Sequence, residues 1–427
     1  MKKVCLKSFL ILSVLISFGI SKSLASSDIV ILNTNNNKYH KVDCEYAKYI
    51  KNGKNIRKPL IRYSSAACCF PQKEKQQSLV QKYKIKKIFN KINENKISLF
   101  FVDPVKAKKA QNKILNDVGL SLVALIDNAQ TSIDIAAYGF DGQDDIINAL
   151  RRAKKRGVRI RGVVDDYGAT LYKRTNSVVK EFGFKTDANV PMAQRQFEKE
   201  FTRSKNALMH NKFVIVDGKY LWTGSTNLTN YCMTLNSNNT VVIVSKDLAR
   251  VYQNEFDQMH ENNKFHTLKE VVENKNNLII NDSNISVYFS PQDKVLTNAI
   301  IPIIKEAREK IYVSMFYLTN YWITNALVEA NNRGVEIKII VDSTLQKEPK
   351  SQIDELEQAG VSIKIENWSG KMHQKSMVVD GYITVIASTN WTGASEYSND
   401  ENMLIIKNEN ISQKQEREFF RLWKSIK

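Results

Sequence analysis

The sequence contains little that would hold it in a membrane or around a metal ion. After residue 25, no segment of the 427-residue chain approaches the roughly 20 apolar residues that a spanning helix needs. The chain has only five cysteines and five histidines, and no group of acidic residues has the pattern typical of a Mg²⁺ or Ca²⁺ site. We therefore expect no spanning helix in the mature protein, no metal at its functional site and no other cofactor.

Acidic residues are also few compared with basic ones. The 63 lysines and arginines against 44 aspartates and glutamates give a formal charge of +19. Such a charge attracts nucleic acid, acidic lipid headgroups or other phosphodiesters, although a solvated lysine-rich surface would have the same composition. A hydrophobic content of 43% and a charged content of 25% are typical of a globular protein, and the length suffices for two domains.

The first 25 residues have the composition of a secretory signal peptide. Lys2, Lys3 and Lys7 precede the apolar run "FLILSVLISFGI", and small residues lead to a predicted cleavage site after Ala25. The run is short for a membrane-spanning helix, so an uncleaved anchor is the less favoured interpretation. We predict export to the periplasm or out of the cell.

A small Cys/His module is predicted over residues 26–71. His40 and Cys44, followed by the adjacent Cys68 and Cys69, could hold zinc. Export favours instead a disulfide from Cys44 to Cys68 or Cys69, and a module with neither arrangement is the third alternative. The lysine-rich stretch 72–96 follows, and its spacing predicts a basic linker helix that could also attract polyanions.

The remainder of the chain is a repeat. "ISLFFVDP" returns as "ISVYFSP", and "NALRRAKKRGVRIRGVVDD" returns as "NALVEANNRGVEIKIIVDS". Each copy alternates β-rich apolar runs with amphipathic helices, so we predict two α/β domains over 97–280 and 281–427. The first copy contains about 14 additional residues, placed within 188–207, which could line the mouth of a cleft.

The functional residues are predicted from two matching phrases, "MHNKFVIVDG" and "MHQKSMVVDG". Histidine and lysine two residues apart share one face of a strand, so each phrase presents an imidazole beside an ammonium group. An aspartate closes each phrase, where a turn or ion-pair role is as reasonable as chemistry, and a serine and an asparagine follow. The candidate residues are His210, Lys212, Asp217, Ser225 and Asn227 in the first copy, and His373, Lys375, Asp380, Ser388 and Asn390 in the second.

Such a doubled set suits a tetrahedral phosphate. The two lysines would neutralise its non-bridging oxygens and the two asparagines would donate hydrogen bonds to them. One histidine could attack phosphorus, and the other could protonate the leaving oxygen and then activate water. The lysines would supply the charge stabilisation that a metal supplies elsewhere.

The two phrases resemble the H-x-K-x4-D motifs of the phospholipase D superfamily, and the resemblance covers about 97–427. It implies two similar α/β domains packed about a pseudo-twofold axis, one active site at their interface, and a covalent phosphohistidine on His210 with His373 as general acid. It also implies that Glu401 stands behind the second-copy histidine. Asn238 takes the corresponding place in the first copy, which predicts that His210 is the weaker base.

Three functions are compatible with these features. The leading one is a phosphodiesterase that hydrolyses phospholipid headgroup esters, with an acidic membrane surface as a further expected partner. The second is a metal-independent nuclease for DNA or RNA, favoured by the charge, the 72–96 stretch and a Cys/His module like those of some secreted nucleases. The third is a polyanion-binding protein without activity. Because both half-sites lie in one chain, we expect a monomer.

Overall fold

The computed structural model describes residues 30–33, 38–41, 53–56, 64–65, 71–111, 116–189 and 207–427. The predicted signal peptide, Cys44, Cys68, Cys69 and residues 190–206 lie outside these described residues. The chain divides into two compact units, Met1–Lys84 and Ile85–Lys427. Among the described residues, we find no helix with both the length and the apolar character needed to cross a membrane.

The first unit contains a small four-stranded sheet in the order β3-β1-β2-β4. Its strands are β1 (Val30–Asn33), β2 (Lys38–Lys41), β3 (Gly53–Ile56) and β4 (Ser64–Ser65). His40 of the predicted Cys/His module lies in β2. A helix over Pro71–Asn95 covers the basic stretch that follows.

The second unit is built from two larger sheets and one two-stranded sheet. The strands of the first half are β5 (Ile97–Phe101), β6 (Ser132–Ala137), β7 (Phe140–Asp141), β8 (Arg159–Val164), β9 (Lys185–Thr186), β10 (Lys212–Val216), β11 (Tyr220–Gly224), β12 (Leu228–Thr229) and β13 (Asn239–Val244). Those of the second half are β14 (Leu278–Ile280), β15 (Ser283–Ser290), β16 (Lys310–Met315), β17 (Glu336–Val341), β18 (Ser362–Ile365), β19 (Lys375–Val379), β20 (Ile383–Ala387) and β21 (Glu401–Lys407). The two-stranded sheet is formed by β7 and β12.

Helices connect these strands and pack on both faces of the sheets. The α-helices are Asp117–Asn128, Asp144–Lys155, Asp166–Leu171, Lys173–Phe182, Asn230–Thr234, Lys246–His260, Ile301–Glu306, Tyr321–Asn332, Ile353–Gln358, Gly393–Tyr397 and Glu409–Ser425. Asn116 caps the first of them by accepting a hydrogen bond from the Gly119 amide at 3.1 Å.

The strand order repeats from one sheet to the other. The first sheet runs β5-β13-β11-β10-β6-β8-β9, and the second runs β14-β15-β21-β20-β19-β16-β17-β18. Corresponding strand pairs have the same relative orientation in the two sheets. β6 and β8 are parallel, as are β16 and β17. β10 is antiparallel to β6, as β19 is to β16. The predicted architecture of two similar α/β halves is therefore confirmed.

The two halves share a core. Each has an apolar cluster of its own beneath its helices, and a third cluster joins inner faces of both sheets, with Phe213 and Leu221 from the first half and Phe289 and Leu404 from the second. Burial of this shared cluster holds the halves together by the hydrophobic effect.

Two short contacts at the interface are reciprocal. Met209 bridges Asp400, and Ser237 bridges Met372. Met209 and Met372 precede the two motif histidines, and Ser237 and Asp400 precede the two residues predicted to support them. Each contact is thus the counterpart of the other, as a pseudo-twofold relation requires. These bridges bring both motifs to the boundary between the halves.

Candidate active site

The motif histidines are fixed to the opposite half through their backbones. The amide of His210 donates to the Asp400 carbonyl and that of His373 to the Ser237 carbonyl, both at 2.9 Å. Each lysine opens the strand that follows, β10 or β19. Each histidine therefore lies two residues before its strand begins, and the two His/Lys pairs meet at the interface.

The carboxylate predicted to stand behind His373 instead stands behind His210. Both oxygens of Glu401 lie 2.9 Å from His210 Nδ1, and the Glu401 side chain is fully buried. The prediction that Glu401 supports its own copy, and that His210 is the weaker base, is wrong. The reason is the crossed packing: the residue before Glu401 bridges the first half, so its side chain enters the site from the other side.

The side chain that holds the His373 imidazole is uncharged. Its Nδ1 lies 2.9 Å from Asn238 Oδ1. The Asn238 Nδ2 group donates to the Cys232 and Asn236 carbonyls at 2.9 and 3.4 Å, which directs Oδ1 toward the imidazole. Because this oxygen can only accept, His373 Nδ1 must carry the proton and Nε2 is the nitrogen available for chemistry.

The environment lowers the pKa of both histidines. Burial lowers the pKa of His210, but the Glu401 charge opposes this effect. For His373 the pKa falls well below the ordinary value, because burial is joined by the charges of Lys375 and Lys212. The two imidazoles are thus chemically unequal, because only His210 has a carboxylate at its Nδ1.

Ser225 and Ser388 are not in the predicted substrate-binding position. Both side chains are fully buried, and each hydroxyl donates to the residue that supports a histidine. Ser225 Oγ lies 2.9 Å from Asn238 Oδ1, and Ser388 Oγ lies 2.5 Å from Glu401 Oε2. The serines therefore orient the supports instead of contacting a bound phosphate.

The motif lysines are buried with their ammonium groups at the histidine backbones. Lys212 Nζ donates to the His210 carbonyl and Lys375 Nζ to the His373 carbonyl, both at 2.8 Å. Burial lowers the pKa of Lys212 to about 8, and burial together with the Lys212 charge lowers the pKa of Lys375 well below its ordinary value. Two buried cations so close together favour an anion between them.

Asn227 and Asn390 are partly exposed, as expected for residues that meet a ligand. The amide oxygen of each is buried without a hydrogen-bond partner among the described residues. Asn227 Nδ2 lies 3.5 Å from Cys232 Sγ. That these two asparagines donate hydrogen bonds to a phosphate stays a prediction.

The motif aspartates lie away from this site. Asp217 and Asp380 follow the far ends of β10 and β19, about 17 Å along the strand from each lysine. Each has positive φ and begins an Asp-Gly turn, which closes the hairpin with a backbone hydrogen bond across it. The expectation that they are catalytic is corrected to a structural role, the alternative that the sequence had left open.

Each motif aspartate also ties its hairpin to the neighbouring strand. Asp217 accepts the amides of Gln130, Thr131 and Ser132 at 2.7–3.1 Å. Asp380 accepts the corresponding three amides of residues 308–310 at 2.9–3.0 Å. Burial alone would raise the pKa of both carboxyl groups, but these hydrogen bonds outweigh it and lower the pKa.

A buried acidic cluster beside the site was not predicted. The carboxylates of Asp165, Asp166 and Asp187 approach one another closely enough to hold a cation. Asp165 accepts the amides of Gly168 and Met209, and the imidazole of His266 lies 3.2 Å from Asp187 and 3.1 Å from Asp400. These contacts fasten the segment before His210 to the second half, so we assign the cluster a structural role.

A cavity of about 500 Å³ opens beside His373. Asn227, Cys232 and Phe316 line it together with residues of both halves, and the Phe316 ring lies 5.0 Å from the His373 ring. Cys232 occupies the place in the first copy that Ser395 occupies in the second, so a comparison of the copies could have drawn attention to it. Its thiol lies 3.9 Å from His373 Nδ1.

Comparison with known proteins bears on this arrangement. Residues 122–260 and 300–423 match a family model described as cardiolipin synthase, PLD-like domain. Phospholipase D of Rickettsia typhi is 31% identical over 130 residues, which are 30% of this chain and 63% of that protein. Mitochondrial cardiolipin hydrolase of Xenopus laevis is 35% identical over 117 residues, or 27% of this chain and 56% of that protein. The chain thus spans less than two thirds of either relative.

A solved structure supports the fold. Phosphatidylserine synthase of Haemophilus influenzae superposes with a TM-score of 0.56 over 76% of this chain and 86% of that one, at 12% identity. The family model matches one segment in each half, as the repeated sheets and reciprocal bridges require. The chain belongs to the phospholipase D superfamily.

Proposed function

We propose that this protein is a phospholipase D-type phosphodiesterase that hydrolyses phospholipid headgroup esters through a covalent phosphohistidine. The observation that carries the proposal is the crossed pair of histidines, each anchored through Nδ1 beside a buried lysine. This arrangement leaves two Nε2 atoms for the two ends of one displacement at phosphorus. The names of the Rickettsia and Xenopus relatives favour a lipid substrate.

His210 is the nucleophile in this scheme. The negative charge of the bound phosphodiester counteracts the lowered pKa of His373 and favours its cationic form. The His210 Nε2 lone pair attacks phosphorus, the bond from phosphorus to the headgroup oxygen breaks, and the cationic His373 gives that oxygen its Nε2 proton. The imidazole that bonds to phosphorus becomes cationic, and Glu401 at its Nδ1–H stabilises the new charge. The carboxylate therefore belongs on the side where positive charge develops.

Hydrolysis of the intermediate reverses the roles. Neutral His373 takes a proton from water while the water oxygen bonds to phosphorus, and the bond from phosphorus to His210 Nε2 breaks. His210 returns to its neutral form, His373 is protonated again, and the phosphomonoester leaves. Lys212, Lys375, Asn227 and Asn390 stabilise the charge on the phosphoryl oxygens throughout.

A nuclease is the second candidate, because the charge of +19 and the lysine-rich helix Pro71–Asn95 would both attract a polyanion. We further propose that the protein is exported through its predicted leader and acts as a monomer. One chain supplies both half-sites, so the chemistry requires no second copy.

A turnover assay in EDTA tests the proposal. Mature protein and its His373→Asn variant would be given phosphatidylcholine/cardiolipin vesicles, plasmid DNA, single-stranded DNA and RNA. We expect headgroup release from the vesicles by the unsubstituted protein alone. Cleavage of nucleic acid without lipid hydrolysis would replace the proposal with the nuclease.

A trapping experiment tests the covalent step. With an activated phosphodiester whose leaving group needs no protonation, His373→Asn should accumulate phosphate on His210, because it lacks the base for hydrolysis. His210→Asn should accumulate none. Phosphate recovered on another residue, or on neither variant, would contradict the scheme.

A further inference from the structure

A buried glutamine of the C-terminal helix, Glu409–Ser425, hydrogen-bonds to both halves of the protein. The Nε2 group of Gln415 donates to Gln374 Oε1 at 3.0 Å and to Ser376 Oγ at 3.2 Å. Its Oε1 accepts a hydrogen bond from Asn239 Nδ2 at 3.2 Å. One side chain thus joins the C-terminal helix to β13 of the first half and β19 of the second.

Two of these partners are direct neighbours of the residues that form the His373 site. Gln374 follows His373 in the chain, and Asn239 follows Asn238. The Asn238 side chain holds the His373 imidazole through its Nδ1. Gln415 is therefore bonded to the residue after the imidazole and to the residue after the amide that holds it.

Further hydrogen bonds tie the same neighbours to the site. Gln374 Nε2 donates to Ser237 Oγ at 3.0 Å, and the carbonyl of Ser237 accepts the His373 amide. The Asn239 amide donates at 3.1 Å to Ser225 Oγ, the hydroxyl that orients the His373 support. A displacement of either neighbour would therefore be passed on to the imidazole or to its support.

The first half has an aromatic residue at the corresponding place. Gln415 and Tyr252 each lie seven residues after the capping residue of the helix that follows the last strand of their half. Tyr252 is fully buried and packs edge-on against Phe213, with ring centroids 5.0 Å apart. Phe213 corresponds to Ser376, since each lies three residues after its motif histidine. Apolar packing fills this place in the first half, so the buried amide of the second half, which packing alone does not require, has a further role.

The unequal support of the two imidazoles explains why only one needs such a network. Glu401 holds His210 by charge as well as by a hydrogen bond, whereas Asn238 holds His373 by a neutral hydrogen bond alone. A neutral hydrogen bond is weaker than a charge-assisted one and depends strongly on its angle. The alignment of His373 therefore depends on how firmly the Asn238 backbone is fixed.

We propose that Gln415 is a positioning residue that keeps His373 aligned as the acid and base of the reaction. It acts on the imidazole through Gln374 and Asn239. This inference rests on the proposed function, since it assumes proton transfer by His373. The C-terminal helix consequently contributes to catalysis as well as to the core.

Gln415→Met tests the role, because methionine has a similar length and volume but makes none of these hydrogen bonds. With short-chain phosphatidylcholine, whose leaving group needs a proton, kcat should fall about 30-fold, which is part of the roughly 10²–10⁴-fold that acid–base catalysis contributes. With an activated phosphodiester, whose leaving group needs no proton, formation of the phosphoenzyme on His210 should stay within threefold of the unsubstituted rate. Gln413→Met, on the exposed face of the same helix, is the matched control, and its kcat should stay within twofold.

The comparison of the two substrates separates positioning from a loss of fold, because a partly unfolded variant reacts more slowly with both in the same proportion. Gln415→Glu is a second variant for the same comparison. Its carboxyl group can accept from Asn239 and, when protonated, can donate to Gln374, and burial raises the pKa of such a group. Its kcat relative to the unsubstituted protein should therefore be higher at pH 6 than at pH 8.5.

The outcomes separate this inference from the proposed function. Equal losses with both substrates, or a kcat for Gln415→Met within threefold of the unsubstituted protein, would overturn the positioning role and leave phosphodiester hydrolysis standing. Absence of both headgroup release and phosphoenzyme in the unsubstituted protein would overturn the two together.

Discussion

Glu401→Gln is the substitution that most directly tests the unequal roles of the two histidines. Glu401 is fully buried, and both of its oxygens lie 2.9 Å from His210 Nδ1. Glutamine has the same shape and can still accept the Nδ1 proton through Oε1, while its Nε2 group faces Ser388, whose hydroxyl can rotate to accept. What is lost is the negative charge opposite the imidazolium that forms when His210 attacks phosphorus.

The magnitude follows from the strength of that contact. A hydrogen bond to a charged group contributes about 1.5–3 kcal/mol. Because Glu401 is buried, its attraction to the imidazolium is stronger than it would be in water. We therefore expect the substitution to reduce transition-state stabilisation by about 3–4 kcal/mol. At 1.36 kcal/mol per tenfold in rate, kcat should fall roughly 100- to 1000-fold. KM should change little, because the lysines and asparagines that would hold the phosphate are untouched.

The assay is pre-steady-state formation of the phosphoenzyme together with steady-state kcat. Glu418→Gln is the matched control, since Glu418 is also buried but pairs with Arg421 on the C-terminal helix, and its kcat should stay within twofold. A kcat for Glu401→Gln within threefold of the unsubstituted protein would refute the reasoning, as would phosphoenzyme formation on His373 instead of His210.

The remaining predictions concern the lysine, the serine and the motif aspartate. Because the pKa of Lys212 is lowered to about 8, its charge is present below that pH, and kcat/KM measured from pH 6 to 9.5 should fall as pH rises through about 8; a flat profile would contradict this. Ser388→Ala removes a hydrogen-bond donor to Glu401 and should lower kcat about tenfold without raising KM, whereas a raised KM would indicate that Ser388 contacts the substrate. Asp217→Asn should lower the free energy of unfolding by about 1–2 kcal/mol in denaturant titrations but keep kcat within twofold, and a large loss of kcat at unchanged stability would restore its catalytic assignment.

The α/β class and the doubling could be predicted from the sequence because both are local properties. Alternating apolar runs and amphipathic helices specify strands and helices, and a repeated phrase specifies a repeated half. The spacing of His210 and Lys212, and of His373 and Lys375, likewise predicts that each pair lies on one face of an extended segment. These features required no knowledge of the partner sheet.

The residues that contact the two histidines through Nδ1 could not be predicted in the same way. Glu401 follows His373 in the chain yet contacts His210, and Asn238 follows His210 yet contacts His373. Sequence proximity assigned each support to its own copy, whereas the reciprocal bridges Met209–Asp400 and Ser237–Met372 carry each to the other half. The serines and motif aspartates were misplaced for a related reason, since their position along a strand does not tell which end meets the substrate.

The sequence by itself thus determined the elements, the duplication and the identity of the reactive groups, because each depends on residues close together in the chain. Only the tertiary structure decided which histidine received the carboxylate and where the cavity opened. Those features depend on how two similar surfaces pack against each other, and that packing is set by a shared apolar core distributed over strands from β5 to β21.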